Sequence, residues 1–194
     1  MALIVGGVTL TGTQTLDATK LTGNLPAISG ASLTNVNVIT ELDQWRINSQ
    51  TTYSSGQVLS ANWERSDTFF EKIGTGLSES SGVFSFPSTG KYLINYHCNH
   101  RANVGERGVG IQLYVSSNSG GAYTFSGSIE NNLSDIGGSE NTTISGGKSC
   151  IIDVTNSSNF RFYFNIITSG ASVQIDGHTN AQYTGFTSVR LGDT

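Results

Sequence analysis

The chain has 194 residues, with 10 Lys and Arg against 14 Asp and Glu, a formal net charge of −4, 24 glycines and two prolines. That length holds one mid-sized core with room for an appendage, and 12% charged residues without a basic cluster exclude a nucleic-acid groove. Gly, Ser, Thr and Asn beside β-branched and aromatic residues exclude a helical bundle and give the composition of β-sheet.

In chain order, the opening MALIVGG lacks the basic run of a secretory signal and the length of a membrane span, so the expected setting is a cytosol unless another machine exports the protein. Residues 1–38 carry Asp17 and Lys20 as their only charges and no aromatic ring. A loose repeat runs through them, LTGT at Leu10, LTGN at Leu21 and LTNV at Leu33. So few apolar side chains cannot offset a backbone ordering cost of about 1–2 kcal/mol per residue in a single copy. Three copies wound together could bury Leu10, Leu16, Leu21, Leu25, Ile28 and Leu33 on a shared axis; the alternative is a flexible low-complexity linker.

Residues 39–194 read differently, as many short strands separated by Gly, Ser and Asn turns. The expected strands are Gln44 to Ser49, Gln57 to Leu59, Phe69 to Ile73, Gly82 to Phe86, Lys91 to Asn99, Val109 to Ser116, Tyr123 to Ile129, Ser149 to Val154, Phe160 to Ile167, Ser172 to Ile175 and Gln182 to Leu191. Their number and spacing indicate an all-β sandwich or jelly roll. Cys98 shares a face with Tyr92, Ile94 and Tyr96, and Cys150 with Ile152 and Val154. Buried free thiols are expected, with a disulfide as the alternative. In FRFYFNII, Phe160, Phe162, Phe164 and Ile166 face a core. Arg161, Tyr163, Asn165 and Ile167 face either a neighbouring subunit or solvent on an outer sheet face. Tyr183 and Phe186 fall on opposite faces of the last strand, so one of them leaves the core. Gly185 between them suits a close backbone approach, and Pro87 ends the strand before it.

Chemistry is sparse. His97 and His100 are three apart on one strand and point to opposite faces. DGHTN (Asp176 to Asn180) lacks the acids of a calcium loop and reads as a turn. No G-x-S-x-G elbow is present, and the pairs Glu64 with Asp67 and Glu130 with Asp135 read as surface charge rather than glycosidase carboxylates. GERGVG is not followed by the Lys and helix of a phosphate loop. No catalytic residue, metal ligand or cofactor is expected.

SSGVFSFPSTGKYLINYH (Ser80 to His97) resembles a segment of complement-globular-head proteins, and NAQYTGFTSVRL (Asn180 to Leu191) resembles the last strand of that superfamily. DQWRINS, NWERSD and KIGTGLSESSGVFSFPSTG, in that order, are similar to a module of tailed-phage structural proteins, while LTGNLPAISGASLTN resembles tail-fibre shafts. Such fibres, like complement and tumour-necrosis-factor heads, are trimers. The resemblance therefore implies an all-β jelly-roll sandwich head (39–194) on an extended N-terminal trimeric shaft or attachment segment (1–38). It implies a homotrimeric bacteriophage tail fibre that sits on the virion, is assembled in host cytoplasm and binds other virion proteins through its N-terminus. Its partner would be a host surface receptor or glycan, with no nucleic acid and no membrane insertion. Capsid decoration or an adaptor role is the alternative, and a polysaccharide depolymerase a further one. Tyr163 and Tyr183 join the leucines above as candidate trimer contacts. Arg107 and Tyr123 are candidate receptor contacts, on loops Ala102 to Gly108 and Ser116 to Tyr123, with Asn131 to Glu140 a third loop.

Overall fold

A computed structural model describes residues 3–5, 8–10, 39–102, 108–132, 142–170 and 172–194, and the regular structure in them is entirely β. The chain divides into two compact units, Met1–Val36 and Asn37–Thr194. In the first, Leu3–Val5 (β1) and Val8–Leu10 (β2) pair antiparallel, with Leu3 opposite Leu10. Leu16, Leu21, Leu25, Ile28 and Leu33 lie outside the described residues, as does the side chain of Leu10.

The second unit contains Leu42–Ile47 (β3), Ser49–Tyr53 (β4), Trp63–Arg65 (β5), Ser78–Ser80 (β6), Val83–Ser85 (β7), Gly90–Ala102 (β8), Gly108–Ser116 (β9), Thr124–Asn132 (β10), Thr142–Val154 (β11), Arg161–Thr168 (β12), Val173–His178 (β13) and Gly185–Gly192 (β14). One sheet runs β10-β9-β12-β7-β6. The other has seven strands in five lanes. Strand β8 pairs along its length with β11, and its opposite edge is shared by β14 (Lys91 to His97) and β13 (His100 to Ala102). In turn β3 pairs with β14, β4 with β13, and β5 closes the edge beside β3. Where the shared lane changes strands, the Thr184 hydroxyl accepts from Asn99 N at 3.0 Å and lies 3.2 Å from Asn99 O. The buried joint thus keeps its backbone groups bonded.

Period-two alternation delivers the core. Strand β12 turns Phe162, Phe164 and Ile166 inward, fully buried, with Phe160 partly buried against them. Across the sandwich, Phe84 meets Trp45, Trp63 and Phe186 edge-on at 5.4, 5.0 and 4.8 Å between centroids and stacks on Phe162 at 5.1 Å. Such pairs add about 0.5–1.5 kcal/mol each beyond their area burial. Beside the rings, buried Asp43 accepts from Trp45 Nε1 (2.9 Å), Leu77 N (2.8 Å) and Arg65 Nε (2.9 Å), while the Arg65 guanidinium lies 4.6 Å from the Trp45 ring centroid. A buried charge is tolerable here because every face of it is hydrogen-bonded.

Several expectations need correction. SQTTY, WER and SES form β4, β5 and β6 although none carries an apolar alternation of its own. Gln57 to Leu59 contributes only a bridge, Val58 to Asn165, and Phe69 to Ile73 only Ile73 to Leu42. Phe69 has φ 57°, which no strand permits, and its ring is fully exposed. The strand expected from Ser149 begins at Thr142. Asp176 to His178 end a strand rather than make a turn: Asp176 is buried, accepts from Gln50 Nε2 at 2.6 Å and lies 3.8 Å from Arg101 Nη2. Of the two rings in the last stretch, Phe186 is in the core and Tyr183 is 43% exposed. A Cβ on Gly185 would collide with the Trp45 carbonyl, so the close approach is to its own strand β3. Ser81 and Gly82, both at positive φ, make the two-residue turn between β6 and β7.

Both cysteines are free. On the β8–β11 ladder Cys98 opposes Gly146 while Cys150 opposes Ile94. That offset of four residues places the thiols about 13 Å apart along the strands, beyond bridging. Burial pushes the Cys98 thiol up to about 12.

Two outcomes follow from this packing. Phe162→Ala lowers unfolding free energy by about 3–5 kcal/mol in a urea titration. A thiol reagent at pH 8 labels Cys150 and leaves Cys98 unmodified until denaturant is added.

Candidate functional site

With the inner faces spent on the core, any site must be built on the outward faces or the loops. On the seven-stranded sheet, register places Ile151, Leu93, Val189, Leu42 and Ile73 directly opposite one another across β11, β8, β14, β3 and the bridge beyond. Leu93, Val189 and Leu42 are half-buried, whereas Ile151 is 59% exposed and Ile73 42%. The row spans about 19 Å at the usual strand spacing.

The next row is polar: Ser149, Asn95, Thr187 and Gln44 lie opposite each other, and Gln44 Nε2 donates to Thr187 Oγ1 at 3.1 Å. The row after that is Gly147, His97, Gly185 and Arg46. Arg46 faces outward yet is only 2% exposed, and its Nη2 donates to Glu64 Oε1 at 2.9 Å and to Asp67. Glu64 and Asp67 are therefore the counterions of a buried guanidinium rather than independent surface charges. The bond from Arg46 holds the Asp67 carboxyl below its ordinary range. Arg46 Nε, His97 Nε2 and the Gln182 amide oxygen are buried without hydrogen-bond partners, and burial lowers the His97 pKa.

The five-stranded sheet carries a different outward row. Phe125 lies opposite Tyr114, and Tyr114 opposite Tyr163. The Tyr114 and Tyr163 rings are nearly parallel, 10° apart with centroids at 5.4 Å. Tyr123 meets Tyr163 edge-on at 4.6 Å, and Phe125 meets Tyr114 at 5.9 Å. Phe125 is 50% exposed and the tyrosines are half-buried. Arg161, on the same face, is turned back onto the carbonyls of Ser157, Ser158 and Phe160.

Of the residues singled out in the sequence, Tyr163 and Tyr123 are thus brought together in one cluster. Tyr183 stands apart, its ring 5.6 Å from that of His178. Arg107 lies outside the described residues, with 103–107 and 133–141, so the loop Ala102 to Gly108 is described only at its two ends and the loop Asn131 to Glu140 only at its first two residues. The third is firmly built: Ser116 Oγ accepts from Asn118 N and Gly120 N, and Asn118 Oδ1 from Ala122 N. The signal for Tyr114 and Phe125 was present as alternation in each strand, but their alignment with Tyr163 depends on register.

Among the described residues no three His, Cys, Asp or Glu side chains group as a metal site. His100 is buried, with Nδ1 3.4 Å from Cys98 Sγ and Nε2 3.2 Å from Asn131 Nδ2. Asn131 can donate to Nε2 only when that nitrogen is unprotonated, so the geometry suits the neutral ring. Burial lowers its pKa to about 4 against a partial opposing pull from Asp176.

No model of a known protein family matches the chain, and no curated protein matches it by sequence. Solved structures do match in fold. Eiger TNF from S. frugiperda aligns at TM-score 0.60 and 9% identity, over 81% of this chain and 96% of that one. Murine APRIL at pH 8.0 aligns at TM-score 0.55 and 12% identity, over 78% and 98%. The globular domain of zebrafish complement 1qA aligns at 0.48 and 12%, over 80% and 99%. At these identities the likeness is one of fold, and with the first two it establishes the head as a jelly roll of the tumour-necrosis-factor type.

The buried histidine makes stability pH-dependent. Because the folded His100 pKa is depressed, the unfolded chain takes up the proton first. Stability is complete above about 6.5 and declines as pH falls towards 4, by about 2–3 kcal/mol from this group. Urea unfolding at pH 7 and pH 4.5 measures the loss, and His100→Gln reduces it, leaving the part that buried His97 contributes in the same direction.

Proposed function

We propose that this chain is a homotrimeric fibre protein of a viral particle, a bacteriophage tail fibre whose head meets the host cell surface. Residues 1–38 form its shaft or attachment segment. The observation that carries the reading is the apolar row from Ile151 to Ile73, flanked by a hydrogen-bonded polar row. An apolar row beside a polar one on an outward sheet face is the make-up of a subunit interface, and Ile151 and Ile73, the most exposed of the row, gain most from being covered. Three copies rather than two are supported by the resemblance of both parts of the sequence to trimeric proteins.

The mechanism is passive binding. Three heads fixed on one shaft raise the effective concentration of each contact, so a weak site becomes useful. No reaction is assigned to it.

Light scattering on the full chain, and on a chain starting at Thr40, is expected to give a trimer in both. Leu93→Asp and Val189→Asp reduce the mass to a monomer with the β signal in circular dichroism retained. A monomeric wild-type protein ends the reading. An antibody raised against the head labels particle tails if the viral assignment is right.

A further inference from the structure

We infer that the aromatic row on the outward face of the five-stranded sheet is a binding site for an uncharged sugar chain. This names the class of surface molecule for the head proposed above, and it rests on that reading only for its biological setting.

Phe125, Tyr114, Tyr163 and Tyr123 hold fixed mutual angles because three stand on paired strands and the fourth closes a loop pinned by Ser116 and Asn118. Four aromatic side chains left together on one half-exposed face form a patch of the kind that marks a binding surface. Beside it runs a row of neutral polar groups, Ser128, Gln112 and Asn165, again opposite one another. The Gln112 amide oxygen accepts from the Tyr114 hydroxyl (3.4 Å) and from Asn165 Nδ2 (3.5 Å). Those bonds fix the amide and leave Gln112 Nε2 without a partner among the described residues. The hydroxyls of Tyr123 and Tyr163 are likewise without protein partners there. Rings for apolar contact and a few oriented, uncharged donors and acceptors are what a sugar ring requires, since its C–H faces are apolar and its rim is hydroxyl.

Charge decides against other ligands. Single-stranded nucleic acid stacks on aromatic rings but needs a cationic track. Among the described residues the cations near the row are committed: the Arg161 guanidinium donates to three carbonyls and Lys148 Nζ, at the sheet edge, donates to Ser128 O at 3.1 Å, and the chain is net negative. Phosphorylated or acidic sugars lack a counterion for the same reason. A protein partner would require a patch of about 800 Å² with an apolar centre, whereas here a single aromatic row is bordered by Gln112 and Asn165 on one side and Arg161 on the other.

The test is an NMR titration of the full-length protein with five free probes: cellohexaose, laminarihexaose, maltohexaose, mannohexaose and chitohexaose, each to about 10 mM. At least one is expected to give saturable shifts centred on Tyr114, Tyr123, Phe125 and Tyr163. Phe125→Ala, which removes a half-exposed ring, weakens that binding tenfold or more, and Gln112→Ala weakens it severalfold. Leu93→Asp leaves affinity per head unchanged. No saturable shift with any probe overturns the inference, as does binding that Phe125→Ala and Gln112→Ala both retain, or tighter binding of a (dT)20 strand. A monomer that binds sugar through these residues sinks the trimer alone; a trimer that binds no sugar sinks only this site.

Discussion

Six rings closing between two sheets set the terms for the rest of the head. Trp45, Trp63 and Phe186 come from one sheet and Phe84, Phe162 and Phe164 from the other, and Phe84 and Phe186 each touch four of their fellows. Because side chains alternate along a strand, committing these residues inward commits their neighbours outward. Leu93 faces out because Tyr92 and Ile94 face in, and Tyr163 because Phe162 and Phe164 do. Both exposed rows are consequences of how the core is packed.

The rim of the sandwich is secured by ions rather than rings. Asp43 draws Trp45, Arg65 and the Leu77 amide to one carboxylate, which ties the irregular segment before β6 to the edge of β3. At the other side of the same strand Arg46 gathers Glu64 and Asp67. Two charge clusters, one on each face of β3, hold these connections down, the first beside the apolar contact that buried Leu77 makes with the core. Neither cluster leaves a group poised for chemistry, since each acid is answered by a guanidinium.

What could be read from the sequence follows from where the signal is stored. FRFYFNII and YLINYHC carry their inward face in their own alternation, and the fold class and the free thiols were accessible from such stretches, whereas which of Tyr183 and Phe186 enters the core was not. SQTTY, WER and SES were not, because their strand state is imposed by partner strands, from the next strand of a hairpin for SES to β13, more than a hundred residues on, for SQTTY. FFEKI alternates convincingly yet fails as a strand: Phe69 takes a left-handed backbone, a property of the loop around it. The surface rows were hidden for a similar reason. Leu93, Val189 and Ile151 each look like a stray apolar residue on a polar face, and only the register of β11, β8 and β14 lines them up. Tyr163 was identified as outward-facing, but its companions Tyr114 and Phe125 were not, since pairing is a property of two strands and not of one.

The two sulfurs held apart on the β8–β11 ladder carry a last implication. With no covalent crosslink in the head, and one thiol sealed in the core beyond the reach of oxidants, cohesion owes nothing to electron chemistry. Reducing and oxidising surroundings leave this domain equally sturdy.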